Sequence, residues 1–161
     1  MSGGPPFVVT HGVPPTWSGI GEAGRVVALF LATVRQSGDP EEAEAVLAPR
    51  VSAHQVTSHE PTVIVRSPRE YAEHVQDHLR MFGRFDYEVT DVLESADRVY
   101  VRWHLRGHHV QTETGEPGTG EPVSDVGSAV YRVSEGRIVE YWIQLDVHGL
   151  EQQLAALEQR A

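Results

Sequence analysis

From about Gly21 to Gln36 the apolar positions Ala23, Val26, Val27, Phe30, Leu31 and Val34 recur at helical spacing, and Ser37-Gly38 supplies a stop, so a first helix is predicted there. Asp39, Pro40 and Glu42 then provide an N-cap, a proline at the first helical position and an acidic first turn. This predicts a second short helix to Leu47, ahead of Pro49, forming a hairpin with the first. Val51–Thr57 alternates and reads as a short strand. Ser67, Pro68 and Glu70 make a capping box that opens a third helix ending at Gly83, with Tyr71, Val75, Leu79 and Phe82 as its apolar stripe and His78 at the stripe's edge. After Phe85 the period changes to two. Strands are predicted over Tyr87–Leu93, Val99–Val110, Val123–Val133 and Ile138–Leu145, joined by turns and by a glycine-rich loop from Thr114 to Gly120. Leu150, Leu154 and Leu157 mark a closing amphipathic helix over Gly149–Arg160.

Helices followed by consecutive antiparallel strands predict an α+β architecture, a sheet curled around helices on one side. One domain over residues 19–161 is expected, preceded by an extended Pro/Gly-rich tail over 1–18 that carries Pro5, Pro6, Pro14 and Pro15. In Val99–Val110 the odd positions Val99, Val101, Trp103 and Leu105 are apolar, and His109 continues that side; Arg98, Arg102, His104 and Arg106 take the other. The last strand is partly apolar on both faces, which suits cover from a second copy, so a homodimer is expected.

The chain's 161 residues suit a single domain whose core needs no staple. Cysteine is absent, which removes disulfides, thiolate nucleophiles and Cys-based metal centres and leaves oxygen or imidazole as catalyst. The 13 basic residues against 23 acidic ones, net −10, include no Lys, which argues against nucleic acid and against an anionic membrane surface. The apolar run Val26–Val34 falls far short of the ~20 residues of a membrane span, and the first residues lack the basic region of a signal peptide. A soluble, cytoplasmic protein is the expectation. Of 9 His, 8 lie between His54 and His148, so that part of the chain is rich in groups that titrate near neutrality.

Four constellations could carry chemistry. Asp146 ends the last strand, and period two places it with Gln144 and Trp142. It is either a carboxylate in a cavity, where burial would raise its pKa, or the cap of the closing helix near Gly149. His109 is expected buried and His108 wetter; a buried imidazole needs a partner, which Asp146 could supply, although a satisfied structural histidine is the plainer reading. His54 or Gln55, on opposite sides of the first strand, could line a pocket, while His59 and Glu60 read as loop. His74 and His78 stand four apart, but without the HExxH order or a third ligand, so no metal is expected there. No phosphate loop, nucleophile elbow or dinucleotide fingerprint occurs.

Several short motifs in a fixed order resemble the SnoaL-like polyketide cyclase family. These are Trp103-His104-Leu105-Arg106-Gly107-His108-His109, Thr119-Gly120-Glu121-Pro122-Val123, the run Tyr131 to Trp142, Asp146, and Gln152-Gln153-Leu154. The resemblance spans about residues 20 to 155. It implies the cone-shaped nuclear transport factor 2-like fold, three helices around a curled antiparallel sheet with a deep apolar pocket. It also implies that Asp146 is the general acid/base and His109 its hydrogen-bonding or substrate-polarising partner, with His54 near a polar pocket position. On this reading the protein is a cofactor-independent cyclase of polyketide-type secondary metabolism acting on a small hydrophobic substrate. His54, His78, Trp103, Asp125, Trp142 and Gln144 are the expected substrate-binding residues. The alternatives are another reaction on the same fold (epoxide opening, for which Asp125 would be the second carboxylate, hydroxylation or pericyclic closure) and a non-catalytic binding module.

Overall fold

A computed structural model describes residues 7–160 of the chain. Twelve elements follow in order: β1 (Phe7–Val9), α1 (Glu22–Ala32), α2 (Val34–Ser37), α3 (Pro40–Val46), β2 (Leu47–Gln55), β3 (Thr62–Arg66), α4 (Pro68–Phe82), β4 (Asp86–Ser95), β5 (Arg98–His108), β6 (Pro122–Ser134), β7 (Arg137–Leu145) and α5 (Val147–Glu158). The architecture is α+β: a curled seven-stranded sheet with four helices longer than one turn.

Local chemistry explains most boundaries. Asp39 caps α3 by accepting from the Glu41 and Glu42 amides, and Ser67 with Glu70 closes the capping box that starts α4. The single helix expected over 21–36 is instead broken at Thr33, whose hydroxyl donates to the Leu29 carbonyl at 2.7 Å; β-branching and this back-bond weaken the helix where it turns. No side chain of its own caps α1. Glu94 on β4 reaches over and accepts from the Gly21 and Gly24 amides.

The strand order is β1-β4-β5-β6-β7-β2-β3. All neighbours are antiparallel except β2 and β7, which run parallel, with Ala53 beside Tyr141 and His54 beside Trp142. The expected antiparallel sheet is thus mixed at this seam, because β2 arrives from α3 rather than from a hairpin. β3, absent from the expected order, pairs with β2 at the edge and leaves Val63, Ile64 and Val65 partly exposed. Residues 1–6 of the expected tail lie outside the described residues. The rest of that segment belongs to the body: β1 adds to β4, the Gln36 side chain donates to the Val9 carbonyl, and Trp17 is 4% exposed.

One face of the sheet wraps the core. Val99, Val101, Trp103 and Leu105 of β5 point inward with Ala129, Tyr131 and Val133 of β6 and Tyr141 of β7, against Val27, Phe30 and Leu31 of α1. Burial of these side chains is the main favourable term in folding. Among the described residues no helix is long and apolar enough to cross a membrane.

Candidate active site

A cavity of about 820 Å³ opens where the C-terminal end of α4, the β5–β6 loop, the start of β6 and α5 meet. Its walls include His78 and Phe82 of α4, His109 and Thr119 at the two ends of the loop, Asp125 of β6, and Leu150 of α5. A void of about 10 Å³ lies further in, between His78, Asp125 and Leu105.

Asp125 is there because of strand periodicity. Along β6 the odd positions Val123, Ala129, Tyr131 and Val133 face the core, and Asp125 occupies that same row opposite Leu105. Its Oδ1 is sealed from solvent and has no hydrogen-bond partner. Burial, reinforced by the nearby Asp146 charge and opposed by the Val126 backbone, Arg35 and His104, raises the pKa of the Asp125 carboxyl from its ordinary value. A partly desolvated carboxylate facing an open cavity is the kind of group that accepts a proton.

His109 is 3% exposed, as its apolar register requires, and His108 is exposed. The glycine-rich loop folds back to hold it. The Gly118 amide donates to the Val110 carbonyl and the Gly120 amide to the His109 carbonyl, both at 2.8 Å. A side chain at 118 would run into the His109 carbonyl, so the close approach demands glycine. Between them the Thr119 backbone N–H donates to His109 Nδ1 at 3.2 Å. An acceptor at Nδ1 carries no proton, so the neutral ring carries its hydrogen on Nε2, free to donate. His78 meets Phe82 edge-on and Phe85 at a tilt, with ring centroids 5.3 and 5.8 Å away. Burial first, then Arg35 and His74, lower its pKa to about 4, so it stands as an uncharged wall.

The remaining expected site residues lie elsewhere. Asp146 is exposed and does not line the cavity; its Oδ1 accepts from the Gly149 amide at 3.0 Å as the N-cap of α5. Of its two readings the cap is the observed one, because the chain turns into α5 immediately after β7 and the free amides there take the carboxylate. The expected contact between Asp146 and His109 is replaced by Thr119. His54, Trp142 and Gln144 sit on the outer sheet face, away from the cavity. His54 stacks on Trp142 (4.8 Å, 11°) and its Nε2 bonds Glu140 Oε2 at 2.7 Å, while Gln144 is exposed. Period two correctly put Trp142 and Gln144 on one side of β7, but Tyr141 of the alternate row faces inward, which turns that side outward. Trp103 is buried in the core beside Tyr87 instead of lining the cavity. Sequence reasoning missed the loop's contribution and that of Leu150 and Leu154. The loop's signal was Gly118-Thr119-Gly120, two glycines around a hydrogen-bonding residue. Four carboxylates, Glu113, Glu116, Glu151 and Glu158, also line the cavity. Among the described residues no group of three or more His, Cys, Asp or Glu side chains is arranged to hold a metal ion.

The sequence model of the SnoaL-like polyketide cyclases matches residues 25–154. The chain belongs to this family. Solved structures share its fold. A candidate polyketide cyclase from Acidithiobacillus ferrooxidans superposes with a TM-score of 0.75 at 22% identity, covering 88% of this chain and 99% of that one. IdmH, a candidate polyketide cyclase of Streptomyces antibioticus, gives 0.69 at 25%, covering 84% and 99%. AclR, a candidate hydroxylase of Streptomyces galilaeus, gives 0.69 at 20%, covering 84% and 82%. A Catenulispora acidiphila protein with a ketosteroid isomerase-like fold gives 0.62 at 11%, covering 81% and 92%, so this SnoaL-like chain carries the nuclear transport factor 2-like cone. Among curated proteins none matches the sequence.

Proposed function

We propose that this SnoaL-like protein is a cyclase of polyketide-type secondary metabolites that closes a ring by intramolecular aldol addition, using its own side chains for proton transfer. The observation that carries the reading is Asp125, a carboxylate with a raised pKa and an unpartnered, sealed Oδ1 on the inner row of β6, beside a cavity large enough for a multi-ring substrate. The Asp125 carboxylate takes a proton from a carbon flanked by two carbonyls, giving an enolate. His109 donates its Nε2–H to the enolate oxygen. The enolate carbon attacks a second carbonyl of the same molecule, and the alkoxide formed takes the proton back from the Asp125 carboxylic acid. Every proton removed is returned, so the product is an isomer of the substrate.

Preorganised donors of this kind are worth about 10²–10³-fold in rate, and a positioned general base about 10²–10⁴-fold. The apolar walls Phe82, Leu150 and Leu154 would fold the substrate so that its reacting carbons meet. Epoxide opening by the expected pair of Asp146 and Asp125 is disfavoured, because Asp146 is committed to the α5 cap.

The test uses an aromatic 1,3-dicarbonyl compound in D₂O, with exchange at its acidic carbon followed by NMR. The protein should accelerate exchange saturably, and Asp125→Asn should abolish the acceleration while circular dichroism stays unchanged. Equal exchange by the Asn variant would reject Asp125 as the base.

A further inference from the structure

The closed interior of the cone holds a cation for which the mechanism has no use. Arg35 projects from α2, and its Nη1 donates to the Tyr71 hydroxyl at 3.2 Å. Its guanidinium carbon lies 5.9 Å from the centre of the Trp103 ring. Its Nε is sealed from solvent without a partner. Among the described residues no carboxylate comes within salt-bridge distance of it.

Two more donors belong to residues beside Arg35. The Tyr87 hydroxyl and Trp103 Nε1 are both sealed and unpartnered, their residues are 2% and 1% exposed, and their rings stand 5.9 Å apart. Arg35 Nε, the Tyr87 hydroxyl and Trp103 Nε1 are thus all sealed without a partner, beside a charge with no countercharge among the described residues. Arginine keeps its proton at any working pH, so the cost of burying it is not relieved by neutralisation. Donors without acceptors are costly individually, and together they are a constellation that matches one class of ligand. Its field reaches His78 and Asp125, the inner wall of the cavity.

We propose that Arg35, with the Tyr87 hydroxyl and Trp103 Nε1, forms an anion-binding site at the closed end of the cone, taking a small monoanion or the carboxylate of an organic ligand. The guanidinium fork supplies the charge and planar donors suited to a carboxylate. The tyrosine and tryptophan supply single hydrogen bonds from the adjacent strands β4 and β5. The proposal deepens the cyclase reading, since a substrate whose reacting carbons lie at Asp125 could place a carboxylate end inward at Arg35. Its test does not depend on turnover.

Thermal unfolding of the full chain is followed in chloride and in benzoate at matched ionic strength. A ligand at about tenfold its Kd should raise the Tm of the wild type by about 3–5 °C, saturably. The rise should vanish in Arg35→Met, which removes the charge but keeps an apolar stem. Tyr87→Phe, which keeps the ring, should weaken the response severalfold and serves if the Met variant does not fold. A response to both anions assigns the site to free monoanions as well, and a response to benzoate alone assigns it to organic carboxylates. A wild-type shift no larger than that of Arg35→Met, or of Tyr87→Phe where the Met variant is lost, overturns the site. Asp125→Asn should keep the full anion response. If it does so while wild type fails to exchange the dicarbonyl carbon, the cyclase reading falls and the anion site stands; exchange without an anion response removes the anion site and leaves the cyclase reading in place.

Discussion

Acid should weaken this fold through His78. In the folded chain its pKa lies at about 4, lowered by burial and then by Arg35 and His74, and in the unfolded chain it returns to about 6.5. The folded value is the lower one, so the neutral ring contributes stability above about pH 6.5 that is lost as pH falls toward 4. The gap between 6.5 and about 4 corresponds to roughly 3 kcal/mol at full effect. His78 keeps partial exposure, and solvent screening brings the expected loss to about 2 kcal/mol. His78→Phe removes the proton site and preserves the packing against Phe82 and Phe85. Urea unfolding of both proteins at about pH 7.5 and about pH 4.5 gives the comparison, because denaturant midpoints convert directly to stability. The wild type should lose about 2 kcal/mol more than the variant between those conditions. Equal losses in both would refute the account of His78 as a buried neutral wall.

Four further outcomes are expected. Asp125 has a raised folded pKa, so it favours the fold at low pH and that benefit is lost as pH rises through the folded value; Asp125→Asn should therefore gain stability relative to wild type at neutral pH and lose the gain below about pH 4, in the same urea assay. Asp146→Asn should keep the α5 cap within a few tenths of a kcal/mol, since Asn caps as well as Asp, whereas Asp146→Ala should cost about 1 kcal/mol. Removing the Asp146 charge should also move the acidic limb of the pH–exchange profile to lower pH, because that charge helps raise the Asp125 pKa, and an unmoved limb would contradict the coupling. Gly118→Ala should destabilise the chain by about 1–3 kcal/mol and slow exchange, read by Tm and NMR, because its Cβ meets the His109 carbonyl.

Wherever a residue's neighbours in sequence determined its environment, the sequence was informative. The capping box at Ser67 and Glu70 set the start of α4, and the odd-numbered apolar row of β5 set the inward face and the burial of His109. It was uninformative where a distant strand decided. The last strand is apolar on both faces, so nothing local tells that Tyr141 rather than Trp142 faces the core; the parallel pairing with Ala53 of β2 decides it. The same ambiguity misplaced Gln144 and Trp142. The row that would have found Asp125 was present, a lone carboxylate among Val123, Ala129, Tyr131 and Val133, but it stood out only once β5 and β6 were paired. β3 was missed because its apolar run lies at a sheet edge without alternation to the core.

The two carboxylates show how one short stretch of backbone separates structural from chemical work. Asp125 lies mid-strand, where the Val126 backbone supports the carboxyl but Oδ1 is left without a partner. Asp146 lies one residue beyond β7, where α5 begins and its first amides have no partner, so Gly149 takes the side chain. The outcome does not depend on residue type, only on whether unpaired donors stand within reach. The cap nevertheless reaches the cavity, because its charge opposes ionisation of Asp125, and Arg35 pulls the other way from within the cone. A change in helix capping therefore alters proton affinity at the site without touching any residue that lines it, and any assignment of a general base in this cavity has to separate the carboxylate that exchanges protons from the one that sets its field.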